Sequence, residues 1–160
     1  MSPFAWLISL ALPACGYPGA EGLPVPKWMD IAAIERPSTP NAALAAPAGF
    51  KPDPDIVTPP YHLPPNRLFT LVQAVASSQP RTVQSAIFPE QRQAHYVARS
   101  AVFNFPDLVT VQVRPDGSDD SDLIFYSRSV YGHSDLGVNR KRAEIWLAAL
   151  QASLPSSSEK

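Results

Sequence analysis

A single cysteine, Cys15, stands in a chain of 160 residues. No disulfide can form within the chain, and no thiolate cage can hold a metal. Histidine is scarce too. His62, His95 and His133 lie far apart and none belongs to an H-E-x-x-H pattern, so satisfied or surface histidines are expected and no metal site. Basic surplus is absent. The net charge is −1 and charged residues make up 17% of the chain, which speaks against a nucleic-acid binder. The apolar run Phe4–Leu12 is too short to span a bilayer unaided. There are no internal repeats, and the length suits one domain with a core of its own.

Proline is in excess. Of 19 prolines, twelve fall between Pro18 and Pro65, which marks a region that cannot form a long helix. Upstream of it, the run Phe4–Leu12 has the length of a secretory h-region and leads into L-P-A-C-G at 12–16. That pentapeptide resembles a bacterial lipobox, in which the cysteine becomes the lipidated first residue. It departs from the pattern at Pro13 and in having no Lys or Arg ahead of the apolar run. A plain signal peptide, or a cytoplasmic product starting at Met29, are the alternatives. The expected organisation is a lipoprotein-type signal peptide over 1–14, then lipidated Cys15 and a flexible tether to residue 35. A single domain over 36–154 and a disordered tail over 155–160 follow. A tether of about 20 residues reaches roughly 60 Å when extended.

Within the domain, Leu68, Leu71, Val72 and Val75 recur at helical spacing behind Pro65, predicting a helix over about 66–77. The period then changes. Strands are expected over Arg81–Phe88, His95–Phe105, Leu108–Arg114 and Asp122–Val130, with Asp55–Thr58 as an edge strand. In the third, Val109, Val111 and Val113 share one face. In the last, Tyr126 and Arg128 face away from Ser127 and Ser129. Residues 137–152 predict a second helix whose buried stripe is Leu136, Arg140, Ala143, Trp146 or Leu147, Leu150 and Leu154. The fold class is therefore α+β: a four- to five-stranded antiparallel meander with two helices on one face, in the order (β)αββββα.

The densest polar stretch is Tyr126–Arg142, Y-S-R-S-V-Y-G-H-S-D-L-G-V-N-R-K-R. Its G-H-S-D-L-G portion is not a nucleophile elbow, because G-x-S-x-G needs glycine where Leu136 stands. Asp116, Asp119, Asp120 and Asp122 do not have calcium-loop spacing and read as a solvated turn. Arg140, Lys141 and Arg142 place three cations in the first turn of a helix, against its macrodipole. Asp135 or Ser134 as cap relieves this, and a bound anion is the other route. The candidate binding residues are Arg99, Arg128, Asp135, Asn139, Arg140 and Arg142. The competing reading is a buried ion-pair network of Arg99, Arg128 and Arg140 with Asp107 and Asp135.

Seven short motifs occur in order: P-S-T-P-N (37–41), A-P-A-G (46–49), Q-P-R-T (79–82), Y-V-A-R-S (96–100), F-P-D (105–107), Y-S-R-S (126–129) and G-H-S-D-L-G-V-N-R-K-R (132–142). Together they resemble the domain of unknown function 1499 family, over about Ile34 to Leu150. The strongest motif matches at Ser127, Arg128, Ser129, Gly132, Ser134, Asp135, Gly137, Asn139, Arg140 and Arg142. The resemblance implies no activity, substrate or cofactor. It implies export or membrane association, which agrees with the N-terminus. The expectation is a cell-envelope lipoprotein on the periplasmic side of a membrane, held by Cys15. Its non-catalytic domain binds an anionic ligand or an envelope protein, with no cofactor and no nucleic acid. The alternative is a hydrolase or transferase acting on an acidic or phosphorylated envelope component.

Overall fold

The computed structural model describes residues 13–155. The expected leader up to residue 12 and the expected tail from 156 lie outside the described residues. Six strands form one sheet: β1 (Ala42–Ala46), β2 (Ile56–Val57), β3 (Thr82–Phe88), β4 (Gln93–Arg99), β5 (Pro106–Pro115) and β6 (Ser121–Ser129), in the order β2-β1-β6-β5-β4-β3. Strands β3 to β6 are antiparallel neighbours in chain order, β1 is antiparallel to β6, and β2 is parallel to β1. Two helices, α1 (Pro65–Ser78) and α2 (Val138–Ser153), complete the α+β fold.

The expected sheet of four or five antiparallel strands is thus corrected to six, mixed. The missed strand is β1. Its sequence A-A-L-A-A has weak strand propensity and no alternation, and four of its five residues are buried. A strand covered on both faces needs no alternation, and the prolines at 40 and 47 that forbid a helix stand just outside it. The expected strand His95–Phe105 is also corrected. Strand β4 starts at Gln93 and stops at Arg99, and Ser100 begins a turn closed by a bond from its N–H to the Phe105 carbonyl at 3.0 Å.

The helices pack on one face. Leu68, Val72 and Val75 of α1 and Ala143, Trp146 and Leu150 of α2 meet Tyr96, Val109, Val111, Val113, Leu123 and Phe125 of the sheet. The Trp146 ring meets Phe125 edge-on with centroids 5.3 Å apart, and Tyr96 at 5.6 Å, the orientation favoured by aromatic quadrupoles. The buried stripe of α2 is Asn139, Ala143, Trp146 and Leu150. Leu136 and Arg140, expected in it, are both exposed.

Residues 15–36 lie against the sheet's other face as a strap, although residues up to 35 were expected as a free tether. Ile31 is fully buried there with Leu44, Ala46, Ile124 and Tyr126. The strap has a physical reason to dock: this face is apolar between β1 and β6, and side chains of β4 accept its backbone. No helix among the described residues is long and apolar enough to cross a membrane.

Trp146→Ala is expected to cost about 3–5 kcal/mol in urea unfolding, whereas Ile145→Ala, on the half-exposed side of the same helix, costs under about 1 kcal/mol. Equal midpoints for the two variants would contradict this placement of the core.

Candidate functional site

The polar strand-turn-helix builds around the side chain of Asn139, fully buried at the start of α2. Its Oδ1 accepts from the Ser127 hydroxyl and from Arg142 Nη1 at 2.7 Å. Its Nδ2 is shared among Asp135 Oδ2 at 2.7 Å, Ser129 Oγ at 3.0 Å and the Asn41 carbonyl at 3.1 Å. One amide thus joins the entry to β1, the end of β6 and the first turn of α2. Asp135 caps that turn. Its two carboxylate oxygens accept from the Gly137 N–H at 2.9 Å and the Asn139 N–H at 3.0 Å, so negative charge sits at the positive end of the helix dipole. This offsets the cations behind it.

Those cations do not converge. Arg142 Nη2 pairs with buried Asp107 at 2.7 Å, and its Nη1 also reaches Ser127 Oγ at 3.1 Å. Arg140 turns outward, to Glu144 at 3.2 Å and the Asp55 carbonyl at 3.2 Å. Arg99 lies on the strap face, where its Nε donates to the Gly19 carbonyl at 2.6 Å and its Nη2 to the Glu21 carbonyl at 3.1 Å. Arg128 is exposed on that same face, and no salt bridge or hydrogen bond of its side chain is found among the described residues. The six residues singled out from sequence therefore separate. Asp135, Asn139 and Arg142 share one network, with Asp107 as the buried acid. Arg99, Arg128 and Arg140 do not belong to it.

A cavity of about 300 Å³ lies on the strap face, at the lower end of ligand-pocket sizes. Strand register makes its floor. His95 pairs with Thr110, and Thr110 with Tyr126, which sets three polar side chains in a row across β4, β5 and β6. The register shift in β3 between Gln84 and Ala86 leaves Ser85 as an extra residue, and Ser85 lines one wall. The strap forms the roof with Leu23, Val25 and Met29, and Lys27 and Arg128 also line it.

The roof is pinned on both sides. At one end, Gln93 takes hold of a single residue: Met29 N–H donates to its Oε1 at 2.9 Å, and its Nε2 donates to the Met29 carbonyl at 2.8 Å. At the other, Arg99 holds Gly19 and Glu21, and Asn104 Nδ2 donates to the carbonyls of Cys15 at 2.7 Å and Tyr17 at 2.9 Å. Met29's two groups fix which way the Gln93 amide points, and this fixes the tautomer of His95. Its Nε2, 3.0 Å from Gln93 Oε1, must carry the hydrogen, so Nδ1 accepts from the Thr110 hydroxyl at 2.9 Å. Burial holds the imidazole below its ordinary pKa of 6.5, which agrees with a neutral ring. Burial likewise pushes the Tyr126 phenol up, partly opposed by the nearby charges of Arg128 and Arg36. The Tyr126 hydroxyl makes no hydrogen bond to the described residues. Cys15 is buried at the far end of the strap, and its thiol pKa is raised by that burial, against the field of Arg99.

Gln93, His95, Thr110, Tyr126 and Lys27 were not singled out from sequence. Alternation put Thr110 and Tyr126 each on a face of its strand, Gln93 fell outside the expected strand His95–Phe105, and only the register brings these residues side by side. Among the described residues, no group of three or more His, Cys, Asp or Glu is placed to hold a metal.

Two arginines separate architecture from an open site. Arg142→Met strands Asp107 and is expected to lose about 3–5 kcal/mol. Arg128→Ala removes an exposed charge with no ion-pair partner among the described residues and is expected to shift stability by under about 0.5 kcal/mol. Chemical denaturation of both variants checks this; a large loss for Arg128→Ala would make it part of the framework.

A solved structure of a protein from Nitrosospira multiformis is 14% identical to this chain, with a TM-score of 0.49, over 64% of this chain and 96% of that one. No curated protein matches. Residues 34–150 match the family described as "Protein of unknown function (DUF1499)". That match spans most of the chain, from the end of the strap to the end of the buried stripe of α2, and the chain belongs to this family.

Proposed function

We propose that this protein is a cell-envelope lipoprotein, held at the periplasmic side of a membrane by lipidated Cys15, whose domain binds a ligand without turning it over. The observation that carries the binding role is the cavity between strap and sheet. It has aliphatic walls, a row of buried polar groups and two cations at its border, the composition of a small-molecule site. The anionic group expected at the strand-turn-helix is reassigned to this cavity, because Arg142, Asn139 and Asp135 already satisfy one another. Anchorage rests on the apolar run Phe4–Leu12 and on L-P-A-C-G. Cys15 stands at the start of the strap, so an anchor there leaves the domain close to the bilayer.

One observation favours the catalytic alternative. Thr110, His95 and Gln93 stand in the order hydroxyl, imidazole, orienting group within hydrogen-bond reach. The orienting group is a neutral amide rather than a carboxylate, and Thr110 is buried at 3% exposure. A neutral amide stabilises a developing imidazolium poorly, so binding without turnover is the stronger reading.

Native mass spectrometry of the full chain purified from membranes tests the binding role. Wild type is expected to carry a small-molecule adduct, and Ser85→Phe, which fills the cavity from the bulge, is expected to carry none. An adduct retained in Ser85→Phe places the ligand elsewhere. In the same cells, labelled fatty acid is expected to enter wild type but not Cys15→Ser; equal label in both removes the anchor.

A further inference from the structure

The cavity's chemistry narrows its occupant, taking as given that the cavity is the binding site. No Asp or Glu lines it, whereas Arg128 and Lys27 do. Both are exposed, and neither has an ion-pair partner among the described residues. A cationic occupant is therefore disfavoured, and an anionic head is favoured at that border, where it keeps part of its hydration. A guanidinium presents two parallel donors that match the two oxygens of a carboxylate. The Tyr126 hydroxyl, next to Arg128 and without a hydrogen-bond partner among the described residues, is a further donor lining the cavity.

The remaining surface is aliphatic. Leu23, Val25 and Met29 form the roof, and Val97 and Leu108 the opposite wall. An unbranched chain gains by leaving water here, and the flexible thioether of Met29 adapts to its shape. The floor offers nothing to a polar tail, because His95 and Thr110 have turned their hydrogen-bonding atoms to each other and to Gln93. Head and tail requirements thus point to one class of molecule.

We propose that the cavity binds a medium-chain aliphatic carboxylate, with the chain under the strap and the carboxylate at Arg128. Lys27 supplies the second positive charge. Arg128 also borders a shallower depression lined by Asp30 and Glu35. Those two carboxylates disfavour an anionic head in that depression.

The test uses the full chain held in amphipol, titrated calorimetrically with decanoate, decanol, inorganic phosphate and decyltrimethylammonium. Decanoate is expected to bind about tenfold or more tightly than decanol, the margin of a charged hydrogen bond. Arg128→Gln is expected to remove that margin while leaving decanol affinity as in wild type, and Arg128→Lys to restore part of it. Ser85→Phe is expected to weaken both alcohol and acid. Equal affinity for decanoate and decanol, unchanged in Arg128→Gln, overturns the carboxylate but leaves the cavity as a binding site. Phosphate binding as tightly as decanoate overturns the requirement for a chain. No binding of any aliphatic probe, in wild type and in Ser85→Phe alike, overturns the inference together with the cavity's role. Thermal melts of each variant without probe confirm that a lost affinity is not a lost fold.

Discussion

The strap is held by side chains that stand in for a neighbouring strand. A segment that forms no strand or α-helix, laid on the interior of a sheet, brings backbone groups that water no longer reaches, and each must find a partner. The sheet's own backbone is already paired. Gln93 solves this for Met29 by offering one acceptor and one donor in the geometry of a strand partner. Arg99 and Asn104, donors only in the bonds they make here, take the carbonyls of residues 15–21. Between the clamps the chain reads G-L-P-V-P-K-W. Pro24 and Pro26 have no N–H to satisfy, so this bridge can cross open space at little cost. The cavity exists because the strap is fixed at its ends and needs nothing beneath its middle.

The two faces of the sheet accordingly differ in kind. On the helix face an aromatic and aliphatic core surrounds Trp146, and Asn139, Ser127, Arg142 and Asp107 form a polar network at its edge, bonding to one another. Such a network fixes the angle at which α2 leaves β6 and offers nothing to a ligand. On the strap face, polar groups are matched only in part. His95 is satisfied twice, yet Tyr126 and Arg128, two strands away on β6, have no side-chain hydrogen bond or ion pair among the described residues. The cavity under the strap, with exposed Arg128 and Lys27 at its border, is the physical distinction between site and framework here.

Local patterns carried much of this in advance. The helical spacing of Leu68, Val72 and Val75, the alternation of Val109, Val111 and Val113, and the opposite facing of Arg128 and Ser127 are all short-range features, and each is found in the structure. Which of the six candidate residues would meet was not legible: Asp135, Asn139 and Arg142 share one network, whereas Arg99, Arg128 and Arg140 lie apart from it. Strand β1 was not legible, because a doubly buried run of alanines carries no period. Nor was the departure of Leu136 and Arg140 from the buried stripe, since Leu136 stands before the helix at φ 53° and Asn139, one position ahead of Arg140, is the residue that faces inward. The cavity was the least legible part. Its clamps join Met29 to Gln93 and Gly19 to Arg99, and its floor depends on a register between strands, so no window of the sequence contains it.

Amide hydrogen exchange at Met29 tests most directly whether the strap is pinned over the sheet. With its N–H held by Gln93 and shielded beneath the strap, Met29 is expected to exchange far more slowly than the neighbouring exposed Lys27 and Trp28. Gln93→Ala is expected to release it to the rate of its neighbours while the amides of β5 stay protected. Exchange of Met29 at the rate of an unstructured peptide in the wild-type chain would contradict the clamp, and the cavity would lose its roof.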